Sequence, residues 1–348
     1  MSLFANCRSR AICAGLLAAS LLSGAPCGAV QAAPAERIET FDFKYWALQR
    51  FTIPREHRPA LSYYLSTPGL PSSSMTRSPL VLLIQGSGCI APFNGLGTDH
   101  RSSSIFPFVG LARSGKYAVM AVDKPYQPAG RQDSQPNGAI DCGAAFNGYY
   151  AYDTWLAALR QALQHALTRP GVDPGRVLVV GMSEGGVLAA GLARAMPEIK
   201  AVALIGTSGT TQLYDFIAAI HAGNGSDADK LHQLQALDAT LKQIMADPSS
   251  STKMAWGHPY RRWSSFMAQS AADNLQQSRA RVYIASGMQD KSVPILSTEV
   301  MVAQLRAQGR DVTVRRVAGA NHDLTGADGG FEQVQQEYDA IIRWFEGP

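Results

Sequence analysis

Short apolar runs recur along this chain at residues 80–84, 117–122, 177–180, 201–205 and 282–285, with a sixth strand-like stretch at 312–317. The first five do not alternate in polarity. Each therefore reads as a strand covered on both faces, the usual condition of a parallel sheet. Helical patterns lie between or beyond them at 106–113, 150–167, 185–195 and 331–345. Buried strands alternating with helices define an α/β class: a mainly parallel twisted sheet flanked by helices. Upstream, residues 41–54 and 61–65 read as a hairpin, and a Pro/Ser-rich stretch at 67–79 joins it to the body.

One interval is too long for this scheme. Between Ile205 and Val282 lie 76 residues, whereas a parallel crossover needs about a dozen. Leu231, Leu234, Leu237, Leu241 and Ile244 recur there at three- and four-residue steps, a helical spacing. Residues 210–275 are thus expected to form a helical cap inserted over one end of the sheet. The core is expected at 79–209 and 276–348, after an N-terminal extension at 33–78.

The first residues carry an address. Arg8 and Arg10 precede an apolar run at 11–22, followed by small residues ending at Val30-Gln31-Ala32. That is the pattern of a secretory signal peptide cut after Ala32. The run is shorter than the roughly 18–20 residues of a membrane span, so no stable span is expected. The destination is read as periplasmic or secreted. Cys7, Cys13 and Cys27 leave with the peptide. The two that remain, Cys89 and Cys142, read as one disulfide in an exported chain. The net charge of +4 comes with no basic run, which argues against a nucleic-acid binder.

The chemistry gathers where strands end. The third run passes directly into Gly181-Met182-Ser183-Glu184-Gly185, and a helix follows. A tight strand-to-helix turn holds the central serine out at the carboxyl end of the sheet, with small residues two before and two after to admit neighbouring backbone. A serine hydroxyl needs a base, and the base needs an orienting acid. Asp290 follows the fifth run within Ser286-Gly287-Met288-Gln289-Asp290, and His322 follows the sixth within Ala318-Gly319-Ala320-Asn321-His322.

In these residues the chain resembles the α/β-hydrolase superfamily. Gly181–Gly185 looks like its nucleophile elbow, and Ser183, Asp290 and His322 follow its order of nucleophile, acid and base. The resemblance covers about residues 79–346 and implies acyl transfer at Ser183. It also implies an oxyanion hole. One N–H would come from Glu184 and a second from Gln85-Gly86-Ser87-Gly88-Cys89, with Ser87 first and Gly88 next. Gln85 stands where the family's His-Gly-x motif has histidine. The Glu184 carboxylate has two readings, a favourable charge in the first turn of a helix or an anchor for a substrate amine. Trp256, Tyr260 and Trp263 of the cap, and Tyr126 after the second strand, are candidate substrate contacts, with packing as their alternative. A Cys89–Cys142 bridge would tie the segment 124–148 to the oxyanion loop.

No H-E-x-x-H, C-x-x-C, phosphate-binding loop or strand-placed G-x-G-x-x-G occurs, so neither metal nor other cofactor is expected. The chain is thus read as an exported serine hydrolase of carboxylic esters or thioesters. A secreted peptidase or amidase is the second reading. An inactive hydrolase fold serving as a binding module is the third. The partner in the first two is a small-molecule ester or a peptide.

Overall fold

Nine strands pair into one sheet: β1 (Arg37–Phe43), β2 (Trp46–Ile53), β3 (Leu61–Thr67), β4 (Ser78–Ile84), β5 (Ala118–Val122), β6 (Val172–Met182), β7 (Ile199–Ile205), β8 (Arg281–Gly287) and β9 (Val312–Val317). They belong to a computed structural model that describes residues 35–43, 46–67, 77–128, 141–326 and 329–347. The segment read as a signal peptide, and residues 68–76 of the Pro/Ser-rich stretch, lie outside the described residues.

Across the sheet the order is β1-β2-β3-β5-β4-β6-β7-β8-β9. The six apolar stretches of the sequence are its six parallel strands, β4 to β9. The upstream residues form an antiparallel meander, β1 to β3, that joins the same sheet through β3 and β5. They therefore extend the core sheet as its edge. Among the described residues β1 is an edge strand, and its Glu39 takes a forked hydrogen bond from Arg50 of β2, with Nε at 2.8 Å.

Alternate side chains of each central strand enter opposite cores. Leu80, Leu82 and Ile84 of β4 pack in the larger one, with α3 (Tyr152–Ala166) and α4 (Glu184–Ala195). Val81 and Leu83 pack in the other, with α1 (Phe108–Ser114) and α10 (Glu332–Glu346). In α10 the buried residues Val334, Tyr338, Ile341 and Phe345 recur at steps of four, three and four. One apolar stripe of that spacing faces a sheet while the rest stays in water.

The long interval holds α5 (Gln212–Ala222), α6 (Asp227–Ala246), α7 (Tyr260–Phe266) and α8 (Ala271–Gln276). α7 packs against α3 and against α2 (Gly143–Tyr149). α8 packs against α4 and against α9 (Ile295–Ala307). The insertion therefore docks on the flank of the larger core. Of the leucine series in α6 only Leu237, with Ile244, is buried, and Leu231 is 56% exposed. α6 lies outermost, so a helical apolar spacing there is met by packing on one short stretch only.

Candidate active site

β6 ends at Met182, and Ser183 takes φ 55° and ψ −122° before α4 begins. A side chain rarely adopts this backbone unless its surroundings impose it. Here the Ser183 N–H donates to the Ile205 carbonyl at 2.8 Å, and the Ser183 carbonyl accepts from the Gly186 N–H at 3.0 Å. A β-carbon at Gly181 would run into the Gly185 carbonyl, and one at Gly185 into the Ile84 carbonyl. The small residues on either side of Ser183 are therefore required by close backbone.

Asp290 follows β8 and is buried. Its Oδ1 accepts the N–H groups of Ser292 and Val293, each at 2.8 Å, which fixes the carboxylate plane. Oδ2 is left for His322, whose Nδ1 lies 2.7 Å away. The imidazole rests against Gly206, where a β-carbon would come within 3.2 Å of Nδ1. Burial opposes the imidazolium, but the hydrogen bond and charge of Asp290 outweigh it, with Asp323 and Asp215 adding to the pull. The pKa of His322 is raised above its ordinary 6.5.

Asp215 carries no sequence signal. It sits near the start of α5, buried, and accepts a hydrogen bond from Ser208. Burial pushes its carboxyl up to about 6, with the charge of Asp290 adding and the hydrogen bonds of Ser208 and Ser297 opposing. It is a second acid within electrostatic reach of the Asp290–His322 pair.

After β4, Gly86 lies against Ser183. A β-carbon there would be 3.4 Å from Ser183 Cβ and 3.9 Å from Oγ. Gly88 departs from expectation. Its N–H donates to the Tyr150 hydroxyl at 3.1 Å, so it is already engaged and offers no free donor to an oxyanion. Cys89 and Cys142 form a disulfide with a Cα–Cα distance of 5.7 Å.

Glu184 stands in the first turn of α4, as one sequence reading has it, but its side chain is taken up by more than the helix end. It is 1% exposed. The Tyr150 hydroxyl donates to it at 2.6 Å, Arg262 binds it through Nε at 3.0 Å and Nη2 at 2.7 Å, and Lys124 Nζ lies 3.3 Å away. Burial alone would favour the protonated acid. The charges of Lys124 and Arg262 and the Tyr150 bond prevail and hold it at about 2. Lys124, equally buried, reaches on to the Gly86 and Gly88 carbonyls at 2.7 and 2.8 Å. Burial lowers its pKa more than its share of Glu184 raises it.

Ser183 and His322 line one cleft of about 450 Å³, with Gln85, Gly86 and Ser87 at the strand ends. This is within the usual size of a small-molecule site. Ile105, Phe106, Leu324 and Phe331 make its outer wall apolar, and the Phe106 and Phe331 rings stack with centroids 5.6 Å apart. Tyr126, Trp256, Tyr260 and Trp263 do not line it. Tyr126 is exposed and meets Tyr149 edge-on. Trp256 packs on Phe216 and Trp263. Tyr260 and Trp263 are buried with Ile244 in a small core of the insertion. These aromatics satisfy one another, as the packing alternative has it, and no residue of 210–275 borders the cleft. Among the described residues, no cluster of three or more His, Cys, Asp or Glu is placed to hold a metal. No described helix is long and apolar enough to cross a membrane.

A mainly parallel sheet, a strained serine between strand and helix, and a carboxylate-bound histidine past a later strand are the architecture of one enzyme class. The chain belongs to the alpha/beta hydrolase family, whose sequence model matches residues 81–333. Solved structures agree on the fold. An acetyl xylan esterase from Paenibacillus sp. R4 matches with a TM-score of 0.58 at 16% identity, over 89% of this chain and 88% of that one. Acetyl xylan esterase 1 from Thermoanaerobacterium sp. JW/SL YS485 gives 0.57 at 12%, over 90% and 89%. The acylaminoacyl peptidase of Pyrococcus horikoshii gives 0.58 at 12%, over 87% of this chain and 42% of that longer one. Among curated proteins, none matches the chain in sequence.

Proposed function

We propose that the protein is an exported serine hydrolase that cleaves carboxylic esters or thioesters through an acyl-enzyme on Ser183. The observation that carries this is the pairing of two facts: Ser183 and His322 share one cleft, and His322 Nδ1 is held by Asp290 at 2.7 Å. With Nδ1 so occupied, Nε2 is the nitrogen that takes the serine proton as the hydroxyl attacks, and it returns that proton to the leaving group. Asp290 orients the ring and stabilises its cation. The N–H groups of Glu184 and Ser87 receive the carbonyl oxygen as it turns anionic. Water then repeats the attack and frees the acid. The cycle uses no cofactor.

The choice against an aminopeptidase rests on Glu184. An aminopeptidase needs an anion for the substrate's ammonium, and the carboxylate beside Ser183 is spent inside the protein on Lys124, Arg262 and Tyr150. The apolar wall suits an apolar acyl or alcohol group. The peptidase reading keeps two supports, since the same residues would cleave amides and several of the similar folds are peptidases. Export rests on the basic-then-apolar start of the chain.

A panel of short esters against aminoacyl and peptidyl amides tests the reading on the mature protein. Esters should turn over, Ser183→Ala should abolish turnover, and a fluorophosphonate should label Ser183 alone. No adduct at Ser183 overturns the serine mechanism. Faster amide than ester cleavage moves the assignment to peptidase. N-terminal sequencing after secretion should begin at Ala33.

A further inference from the structure

We infer that Lys124 is a positioning residue: its buried ammonium holds the Gly86–Ser87 peptide with the N–H turned toward the nucleophile, and Glu184, Arg262 and Tyr150 hold the ammonium in place. The inference rests on the serine-hydrolase reading and extends it to residues that never meet the substrate.

The geometry of one peptide unit carries it. A trans peptide is planar, and its C=O and N–H point in opposite directions. Among the described residues the cis bond is Phe106–Pro107, so the Gly86–Ser87 unit is trans. Its carbonyl is drawn down onto Lys124 Nζ at 2.7 Å. Its N–H, that of Ser87, therefore points the other way. Gly86, Ser87 and Ser183 line the cleft together while Lys124 does not, and Gly86 packs on the Ser183 β-carbon, so the side away from the ammonium is the cleft side. The Ser87 N–H donates to no described residue. A second grip follows two residues on. Lys124 takes the Gly88 carbonyl at 2.8 Å, and Tyr150 takes the Gly88 N–H at 3.1 Å. The donor is thus clamped from below on both flanks.

The charge balance points the same way. Lys124 and Arg262 are two cations on the single carboxylate of Glu184, with Tyr150 neutral, so the cluster carries one net positive charge beneath the loop. In a dry interior a cation bonded to a carbonyl polarises that peptide and strengthens its N–H as a donor. A charge fixed in advance needs no reorganisation when the oxyanion forms. The groups around Lys124 come from several elements: Glu184 heads α4, Tyr150 stands between α2 and α3, and Arg262 lies on α7. His258 precedes α7 and is kept neutral by burial and by Arg262, which push its pKa down to about 4. Arg262 ties α7 of the insertion directly to Glu184, although the insertion does not border the cleft.

The test is Lys124→Met in the full mature chain with its disulfide intact. Methionine keeps the length and leaves Glu184 and Arg262 as a balanced pair. We expect kcat for a good ester to fall on the order of 10²-fold, as for the loss of an oxyanion contact, with KM changed less than about threefold. Affinity for a trifluoromethyl ketone, whose adduct places an oxyanion in the hole, should fall in parallel. Binding of the product acid should not. Lys124→Arg, which restores the charge and the donors, should recover kcat better than methionine, opposite to what space-filling alone would give. Should Lys124→Met not fold, Arg262→Met carries the test. It cancels the net charge while sparing the bonds to Gly86, and a kcat loss of about tenfold at constant KM is expected. Unchanged kcat in the folded variant overturns the inference while the hydrolase reading stands. Absence of Ser183-dependent turnover in the unaltered protein overturns both.

Discussion

Replacing Glu184 by glutamine should cost the fold about 3 kcal/mol at neutral pH. The substitution keeps the shape of the side chain and removes its charge, leaving Lys124 and Arg262 buried together without a counter-ion. Two routes give the size. Glu184 is held at about 2 in the fold against an ordinary 4.5, and at about 1.4 kcal/mol per pH unit that gap is worth about 3 kcal/mol. Breaking a buried ion pair by removing one partner costs about 3–5 kcal/mol in general. The sign follows from the direction of the shift. A carboxylate whose folded pKa is depressed stabilises the protein fully above about 4.5, and that stabilisation is lost as pH falls toward about 2. Urea denaturation of both proteins, at pH 7 and at steps down to pH 3, measures it. The variant should trail by about 3 kcal/mol at pH 7 and the gap should narrow below about 4.5. A gap under about 1 kcal/mol at pH 7, or one that stays constant on acidification, refutes the account. A variant of full stability that has lost only aminoacyl substrates would return Glu184 to the role of an amine anchor.

Asp290→Asn should lower kcat on the order of 10³–10⁴-fold, as loss of an orienting acid does. His322 must be neutral to accept a proton, and Asp290 raises its pKa. Residual activity in the variant should therefore persist to lower pH, which a kcat/KM profile from pH 5 to 9 detects. Removing the disulfide as Cys89→Ala/Cys142→Ala opens a loop of 53 residues. Chain entropy puts the loss at about 4 kcal/mol, read as a lower denaturation midpoint. If the bridge also fixes the oxyanion loop, mild reduction should cut kcat while the circular dichroism spectrum is retained. Ile105→Trp should narrow the cleft and reduce kcat/KM for long-chain esters at least tenfold more than for acetyl esters, measured on a graded p-nitrophenyl series.

The fold was legible because its signal is local. Each parallel strand is a few consecutive apolar residues, and Gly181–Gly185 declares its turn by spacing alone. Asp290 and His322 could be found because each stands just past such a run. The charged cluster could not. Lys124, Tyr150 and Arg262 lie 60, 34 and 78 residues from Glu184, and only the folded chain brings them together. A lone lysine after a buried strand is the faint mark it leaves. The engagement of the Gly88 N–H is hidden for the same reason, since its partner Tyr150 is 62 residues away. The aromatic group at 256–263 was open to two readings because a sequence shows composition and not which neighbours cover it. Here Phe216 and Ile244 do. Leu231 shows the converse, a residue in helical register that stays 56% exposed.

The cleft and the charged cluster sit on opposite flanks of the same strand ends. One is walled by the approaches to α1 and α10, the other by α3, α4 and α7. Selectivity and reactivity thus have separate addresses. If the charged cluster frames the reaction as proposed, drift at positions such as 105, 106 or 331 can retune which molecules are admitted without loosening that frame, and laboratory evolution for new substrates would do well to begin there.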